Sequence, residues 1–208
     1  MQDTSAIQKQ YESFASDYDV ISDMSEWAAP DVLVRQLLEL NLIPTSPKIV
    51  DVATGTGLLA QAFKNTNPAA YITGIDFSLA ILNQAMEKRV LDKYVVQNIL
   101  STWVDTRCAT QDVVAGTGIV EYLSSDDLDI IITNAHRALK QGGVFAASYY
   151  GMKESQDTAS GQNKHDAAEI SKKITETGFE IRHHKPFNAY RRQSGEIVRQ
   201  RLVIGQKM

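Results

Sequence analysis

The sequence predicts an α/β fold, a mostly parallel sheet with helices packed on both faces. Short runs of β-favouring residues alternate with stretches that repeat apolar side chains at helical spacing, the pattern of successive strand–helix–strand units. The first strand drops into a glycine-bearing turn, Asp51-Val52-Ala53-Thr54-Gly55-Thr56-Gly57, and the second ends in an acid, Asp76. Sheets with these features hold a ligand beyond the carboxyl ends of their strands.

In chain order, residues 5–42 read as helical, with Leu33, Leu37 and Leu40 at i, i+4 and i+7, and Pro44 and Pro47 ending the run. Ile49, Val50 and Val52 suit a buried strand over 48–53, which leads into a helix over 57–65. A strand at 71–75, a helix at 78–88 and strands at 94–97 and 112–117 follow. The helix at 125–139 carries its apolar stripe on Leu128, Ile131, Ile132, Ala135 and Leu139, and Gly142-Gly143 turns the chain into a strand at 143–150. Residues 151–164 are polar, small and aperiodic, a flexible loop that reads either as a surface excursion or as a lid over a pocket at the end of the preceding strand. Asp166 and Glu169 resemble a capping box, Ala167, Ile170 and Ile174 form the buried stripe of a last helix, and Gly178 sits at its C-terminal cap. Strands at 179–190 and 196–206 close the sheet as a hairpin across 191–195.

A chain of 208 residues buries one sizeable core, so a single domain with one active site is expected. With 43% hydrophobic and 22% charged residues it has an ordinary soluble composition, and no apolar run approaches the roughly 20 residues that span a bilayer. Met1-Gln2-Asp3-Thr4-Ser5 lacks the basic end and apolar core of a signal peptide. Cys108 is the single cysteine, which precludes an internal disulfide and favours a cytoplasmic location, and no residue grouping has metal-ligand spacing. A net charge of −4 argues against nucleic acid as a partner. The expected partner is a small molecule, with no membrane, for a monomer or homodimer. Acids gather near the N-terminal end (Glu12, Asp17, Asp19, Asp23, Glu26, Asp31) and bases near the C-terminal end (Lys185, Arg191, Arg192, Arg199, Arg201). Either these are solvated or mutually attracting surfaces, or the basic end holds an acidic substrate.

The chemistry concentrates at the strand ends. Unpaired N–H groups of the turn and of the helix after Gly57 can meet an anion, a carboxylate as well as a phosphate. Asp51, at the end of a buried strand, is costly there unless it meets a cation or several donors, which suggests a ligand ammonium. Gly55-Thr56-Gly57-Leu58-Leu59-Ala60 also fits the loose dinucleotide pattern G-x-G-x-x-A. Dinucleotide domains, however, usually open with the glycine-rich strand and seldom place an acid just ahead of it, whereas here residues 1–47 come first.

In combination these segments resemble the class I S-adenosylmethionine-dependent methyltransferases, from about Tyr11 to the C-terminus. The first family motif is similar to Val50-Asp51-Val52-Ala53-Thr54-Gly55-Thr56-Gly57, with Ala53 where Gly is common and Thr54 where Cys is frequent. Ala53-Thr54 also occurs in ubiquinone and menaquinone C-methyltransferases, but the rest of that subgroup's signature is missing and its substrate is not carried over. The second motif is similar to Gly74-Ile75-Asp76-Phe77-Ser78 with Ile81-Leu82, the third to Val95-Val96-Gln97-Asn98-Ile99, and the fourth to Asp112-Val113-Val114-Ala115-Gly116-Thr117-Gly118-Ile119. Leu139-Lys140-Gln141-Gly142-Gly143 resembles the turn before strand five, and Tyr11 and Tyr18 match an N-terminal pattern that closes over the cofactor. A narrower likeness, through 88–94 and 116–119, is to the methyltransferase-like proteins named after the Williams–Beuren region, and it carries no substrate.

The resemblance implies a Rossmann-like, seven-stranded, mostly parallel sheet with helices on both faces and an antiparallel C-terminal strand. It divides one domain into a helical cap (1–45), a cofactor-binding core (46–150) and a closing part (151–208). It implies S-adenosyl-L-methionine as cofactor and S-adenosyl-L-homocysteine as product. Asp76 would accept both ribose hydroxyls, Phe77 would lie against the adenine, and Asn98, replacing the usual Asp, would accept from the adenine amino group with Ile99 or Leu100 beside the ring. Tyr11, Tyr18, Asp51, Ala53, Thr54, Gly55, Gly57, Ile81, Gly116 and Thr117 complete the expected cofactor site, and Glu121 and Tyr122 are the candidate catalytic groups.

Each position has a plainer counterpart: a strand-to-helix turn for the glycines, an N-cap neighbour for Asp76, core packing for Tyr11 and Tyr18, a turn residue for Asn98, and loop stabilisation for Glu121 and Tyr122. His136 reads as a helix-surface residue, and of His183 and His184 at most one points inward. The expected activity is methyl transfer to O, N or C of a small molecule. Two readings compete with it: an NAD(P)-dependent reductase, given Tyr149-Tyr150-Gly151-Met152-Lys153, and a cofactor-binding protein without transferase activity, acting as a partner or regulatory subunit.

Overall fold

The central strands are buried along almost their whole length, as a sheet covered by helices on both faces requires. The computed structural model describes residues 17–103, 109–153 and 162–208. Its strands are β1 (Lys48–Val52), β2 (Tyr71–Asp76), β3 (Lys93–Val96), β4 (Gln111–Gly116), β5 (Leu139–Tyr149), β6 (Phe179–Arg191) and β7 (Ile197–Lys207). Its α-helices are α1 (Tyr18–Met24), α2 (Ala29–Glu39), α3 (Leu58–Thr66), α4 (Leu79–Glu87), α5 (Ser125–Ala138) and α6 (Ala167–Glu176). The strands form one sheet in the order β3-β2-β1-β4-β5-β7-β6. The first five run parallel, and β7 enters antiparallel between β5 and β6.

Each face carries its own core. On one, Val50, Val52, Val114 and Phe145 meet Leu128, Ile132 and Ile174 of α5 and α6. On the other, Ile49, Ile72, Val113 and Val144 meet Leu33 and Leu37 of α2 and Leu59 and Phe63 of α3. Each such side chain contributes roughly 1.5–3 kcal/mol by leaving water, so the parallel strands need both helical layers. Strand order reverses between β1 and β4, and the crevice at their carboxyl ends is where the functional residues gather.

Several expected boundaries move. The helical run over 5–42 is broken, because Pro30 has no N–H to give to a helix interior and starts α2 instead, after Glu26 at φ 56°. Residues 1–16 lie outside the described part. Gly142-Gly143 does not turn the chain into the strand; β5 begins at Leu139, directly after α5, and the glycines occupy an irregular stretch before Val144. Lys207 Nζ covers the end of α5, donating to the carbonyls of His136 (2.6 Å) and Leu139 (2.8 Å).

The complete capping box is on α5, where Ser124 and Asp127 bond reciprocally. At α6 only Asp166 caps, accepting from the Ala168 and Glu169 N–H groups, while Glu169 Oε1 receives the Ser125 hydroxyl at 2.5 Å. The stretch expected as a flexible loop is partly a docked strap. Asn163 donates its N–H to Glu121 O (2.6 Å) and its side-chain amide to Leu123 O (3.0 Å), and His165 N–H reaches Tyr150 O (2.9 Å). Residues 154–161 lie outside the described part.

Candidate active site

β1 and β2 end side by side, Val52 opposite Ile75, so the glycine-bearing turn and Asp76 are neighbours. Gly55 N–H donates to Asp76 Oδ2 and Ser78 N–H to Oδ1, each at 3.0 Å. The carboxylate is thereby fixed in orientation, and each oxygen keeps a lone pair for a further donor. Burial raises the Asp76 carboxyl above its ordinary range, and the backbone donors at Ser78, Gly55 and Phe77 pull it back.

The turn is left-handed at Ala53 (φ 54°), Gly55 (φ 54°) and Gly57 (φ 85°). A Cβ on Gly55 would meet nothing nearer than 3.9 Å, so the space beside it belongs to the cleft. Gly57 differs: a Cβ there would lie 2.8 Å from Val90 and 3.0 Å from Ala85, so close packing against α4, not ligand approach, requires its glycine.

Asp51 is buried (1% exposed) on the cleft floor. Its Oδ2 receives the Thr54 hydroxyl at 2.5 Å. Burial, reinforced by the neighbouring Asp76 charge and only partly offset by Thr54 and the Ala60 N–H, pushes its carboxyl up to about 7. The sequence reading asked for a cation or several donors here. The chain supplies donors, and no Lys, Arg or His lines the cleft among the described residues.

Above the turn sits the cap. Asp19 accepts the Thr56 hydroxyl at 2.6 Å and pairs with Lys88, whose ammonium also donates to Thr56 O at 2.9 Å. That clamp sets Tyr18 over the cleft, edge-on to Trp27 with ring centroids 6.3 Å apart. Gly118 (φ 73°) passes beneath the indole, where a Cβ would stand 3.0 Å from Trp27 Cη2. The cap is also tied to the far edge of the sheet, Ala28 N–H to Ala189 O and Arg191 N–H to Ser25 O, each 2.7 Å. Arg191 and Glu26 form an exposed ion pair, the mutual attraction of the two ends, worth at most about 1 kcal/mol.

The far wall comes from the segment after β4, a 3₁₀ turn at Val120–Tyr122. Tyr122 lines the cleft and Glu121 beside it is buried (3% exposed), with Oε2 lacking any hydrogen-bond partner among the described residues. Burial pushes the Glu121 carboxyl up to about 7. Its charge in turn raises the phenols of Tyr18 and Tyr150 beyond what their own burial does.

The resulting cleft brings together most of the expected residues: Tyr18, Asp51, Ala53, Thr54, Gly55, Asp76, Phe77, Ile81, Thr117 and Tyr122. Others stand outside its lining, the catalytic candidate Glu121 and the tightly packed Gly57 among them. Asn98 is exposed and its Oδ1 accepts the Leu100 N–H at 2.9 Å, a turn role. Ile99 packs in the core with its carbonyl on Trp103 Nε1 (2.7 Å). Gly116 is where a Cβ would press on Val52 O at 3.0 Å. Tyr11 lies outside the described residues. Trp27, Thr56, Leu58, Leu59, Gly118 and Ile119 line the cleft without having been singled out.

Other candidates find structural roles. His136 packs edge-on against Phe179 (5.3 Å), and His184 turns inward between Tyr149 OH (2.5 Å) and Ser171 Oγ (2.8 Å). Tyr149 is thus buried in that contact at the end of β5, and Tyr149 and Lys153 do not share a helix as the reductase pair would.

A family model described as a methyltransferase domain matches residues 49–143, from β1 to the start of the regular part of β5. A malonyl-[acyl-carrier protein] O-methyltransferase of Coxiella burnetii is 27% identical over 187 residues, covering 85% of this chain and 61% of that protein. A demethylmenaquinone methyltransferase of Thermotoga maritima is 33% identical over 82 residues, covering 39% of this chain and 35% of that protein. The chain thus spans less than two thirds of the length of these relatives. Among solved structures, magnesium protoporphyrin IX methyltransferase from Synechocystis with bound S-adenosylmethionine superposes with a TM-score of 0.76 at 14% identity, covering 100% of this chain and 98% of that one. At that identity the likeness is one of fold.

Proposed function

Because this chain carries a class I S-adenosylmethionine-dependent methyltransferase domain, we propose that it binds S-adenosylmethionine in the cleft at the ends of β1 and β2 and transfers a methyl group to a small-molecule acceptor. One observation supports this above the rest: Asp76, oriented by Gly55 and Ser78, stands at the tip of β2 with lone pairs left for a ribose. When bound, the cofactor supplies a methyl carbon on a sulfonium sulfur, open to in-line displacement by a nucleophile about 3 Å away.

The chain's own part is to hold, orient and exclude water. Thr54 and Gly55 form a turn whose open side can receive the amino-acid end, and Asp51 suits its ammonium, whose arrival would restore the ionised carboxylate. Phe77 and Ile81 offer apolar surface for the adenine. Tyr18 and Trp27 cover the cleft, and Thr117, Gly118 and Ile119 line its other side. Tyr122, on the cleft lining, and Glu121, buried behind it, are the candidate groups on the acceptor side. Alignment and desolvation supply much of the rate for such a displacement, with effective molarities up to roughly 10⁵–10⁸ M.

The acceptors printed in the relatives' names differ: a malonyl group on a carrier protein, demethylmenaquinone and magnesium protoporphyrin IX. A small-molecule acceptor is common ground among several of them, and the choice falls to the acceptor-side residues. Calorimetric titration with S-adenosylhomocysteine tests the donor side. Binding to the wild type and a loss of at least about a hundredfold in Asp76→Ala are expected, since two hydrogen bonds to a charged group are worth about 1.5–3 kcal/mol each. No binding, or unchanged binding by the variant, would refute the reading.

A further inference from the structure

We propose that Lys88 and Asp19 form the latch through which the cap admits and retains the cofactor, with residues 25–28 as its hinge. The inference rests on the methyltransferase reading and adds two positioning residues, which act through Thr56 and Tyr18. Asp51 and Asp76, on the cleft floor, are 1% and 5% exposed. A ligand that reaches both must therefore lift part of the roof.

Helix α1 is the part that can lift. Of its seven residues only Ser22 is buried, its N-cap Asp17 makes no side-chain capping bond, and Val20, Ile21 and Met24 are exposed. So short a helix with so little apolar burial is not held by packing. α2 differs, because Leu33, Val34 and Leu37 anchor it in the core. Between the two helices Ser25 and Ala28 are each bound to β6 by a backbone bond of 2.7 Å, with Glu26 at φ 56°. That end of α1 is fixed.

The contacts at its other end are polar. Asp19 accepts the Thr56 hydroxyl and pairs with Lys88, and the same ammonium donates to Thr56 O. Lys88 closes α4, and Thr56 lines the cleft between Gly55 and Gly57, so cap, turn and helix meet at one cation. Both charged side chains are partly exposed, and water can replace each contact. While the contacts hold, Tyr18, the neighbour of Asp19, stays over the cleft.

A latch has a kinetic signature that a static support lacks. Where the cap is closed with and without ligand and exchange passes through the open form, weakening the latch speeds entry and exit by one factor and leaves the affinity nearly unchanged. A residue that only shapes the closed pocket changes exit and affinity together.

The test is stopped-flow indole fluorescence on the full chain mixed with S-adenosylhomocysteine, whose zwitterionic tail leaves it without net charge. Ionic strength then acts on the latch and not on the encounter. In Lys88→Met association and dissociation should both quicken about tenfold, a weakening of the latch by about 1.4 kcal/mol, with the calorimetric Kd within about threefold of the wild type. Asp19→Asn should behave alike, and Lys88→Arg should restore slow exchange. Raising sodium chloride from about 0.05 M to about 0.5 M should quicken both steps in the wild type and neither in Lys88→Met. Rates that stay at the wild-type value, or a faster dissociation matched by an equal loss of affinity, overturn the inference alone, since binding itself shows the variant folded. Failure of S-adenosylhomocysteine to bind the wild type overturns the methyltransferase reading and this inference with it.

Discussion

Replacing Glu121 by Gln should make the protein more stable at pH 8 and leave the difference smallest in acid. The carboxyl stands at about 7 in the fold against 4.5 in the open chain. Each pH unit of such a rise corresponds to about 1.4 kcal/mol, so ionising Glu121 costs the fold about 3 kcal/mol. A folded value above the unfolded one means that the folded state binds the extra proton. Stability is therefore fully present below pH 4.5 and is lost as pH rises through about 7. Glutamine keeps the shape and never ionises, so the variant escapes that loss. Because Asp51 titrates in both proteins over a similar range, subtracting wild type from variant isolates the single carboxyl. Urea unfolding between pH 4.5 and pH 8 measures it: the difference should grow by about 3 kcal/mol, or about 6–12 °C in Tm. A difference flat across that range would refute the claim that Glu121 is buried without compensation.

Two further substitutions probe the cleft's backbone. Ala53→Gly removes a Cβ from a left-handed position at φ 54°; such strain costs about 1–2 kcal/mol and glycine's extra unfolded entropy returns part of it, so a net gain of about 0.5–1 kcal/mol is expected in urea unfolding. A loss instead would show that the methyl group packs usefully. Gly118→Ala places a Cβ 3.0 Å from Trp27 Cη2 at φ 73°; it should lower stability by about 1–2 kcal/mol, alter the indole fluorescence and weaken S-adenosylhomocysteine binding. Unchanged fluorescence and affinity would mean that the indole moves aside freely.

The sheet was legible because its central strands are short apolar runs, buried on both faces, set between helices whose apolar side chains repeat at about 3.6 residues. The turn at Asp51 to Gly57 and the acid at Asp76 were legible because neighbouring parallel strands must end together. What escaped depends on contacts far apart in the chain. Trp27 reaches Gly118, Asp19 reaches Thr56 and Lys88, and no local pattern announces such meetings. Pro30 did carry a local signal for the break before α2, and the leucine repeat at Leu33, Leu37 and Leu40 outweighed it. Asn98 was placed by analogy of position, whereas its short side chain bonds the backbone two residues on. Burial of Glu121 could not be read from a residue just past a strand, since the strap that docks on it through Asn163 comes from far along the chain.

The placement of β7 between β5 and β6 bears on how the molecule is made. During synthesis the segments from β1 to β5 emerge first and already contain the turn, Asp76 and both flanking helical layers of the donor half. Until residues 197–207 emerge, β5 presents a bare edge of unpaired N–H and C=O groups, a template for pairing with another chain. The cap is then held only in part: Asp19 already reaches Thr56 and Lys88, but the bonds from Ala28 and Ser25 to the far edge of the sheet need β6, which pairs with β7. A nascent chain interrupted before β7 would thus hold a donor half whose roof is tied at one side only, beside an adhesive strand edge.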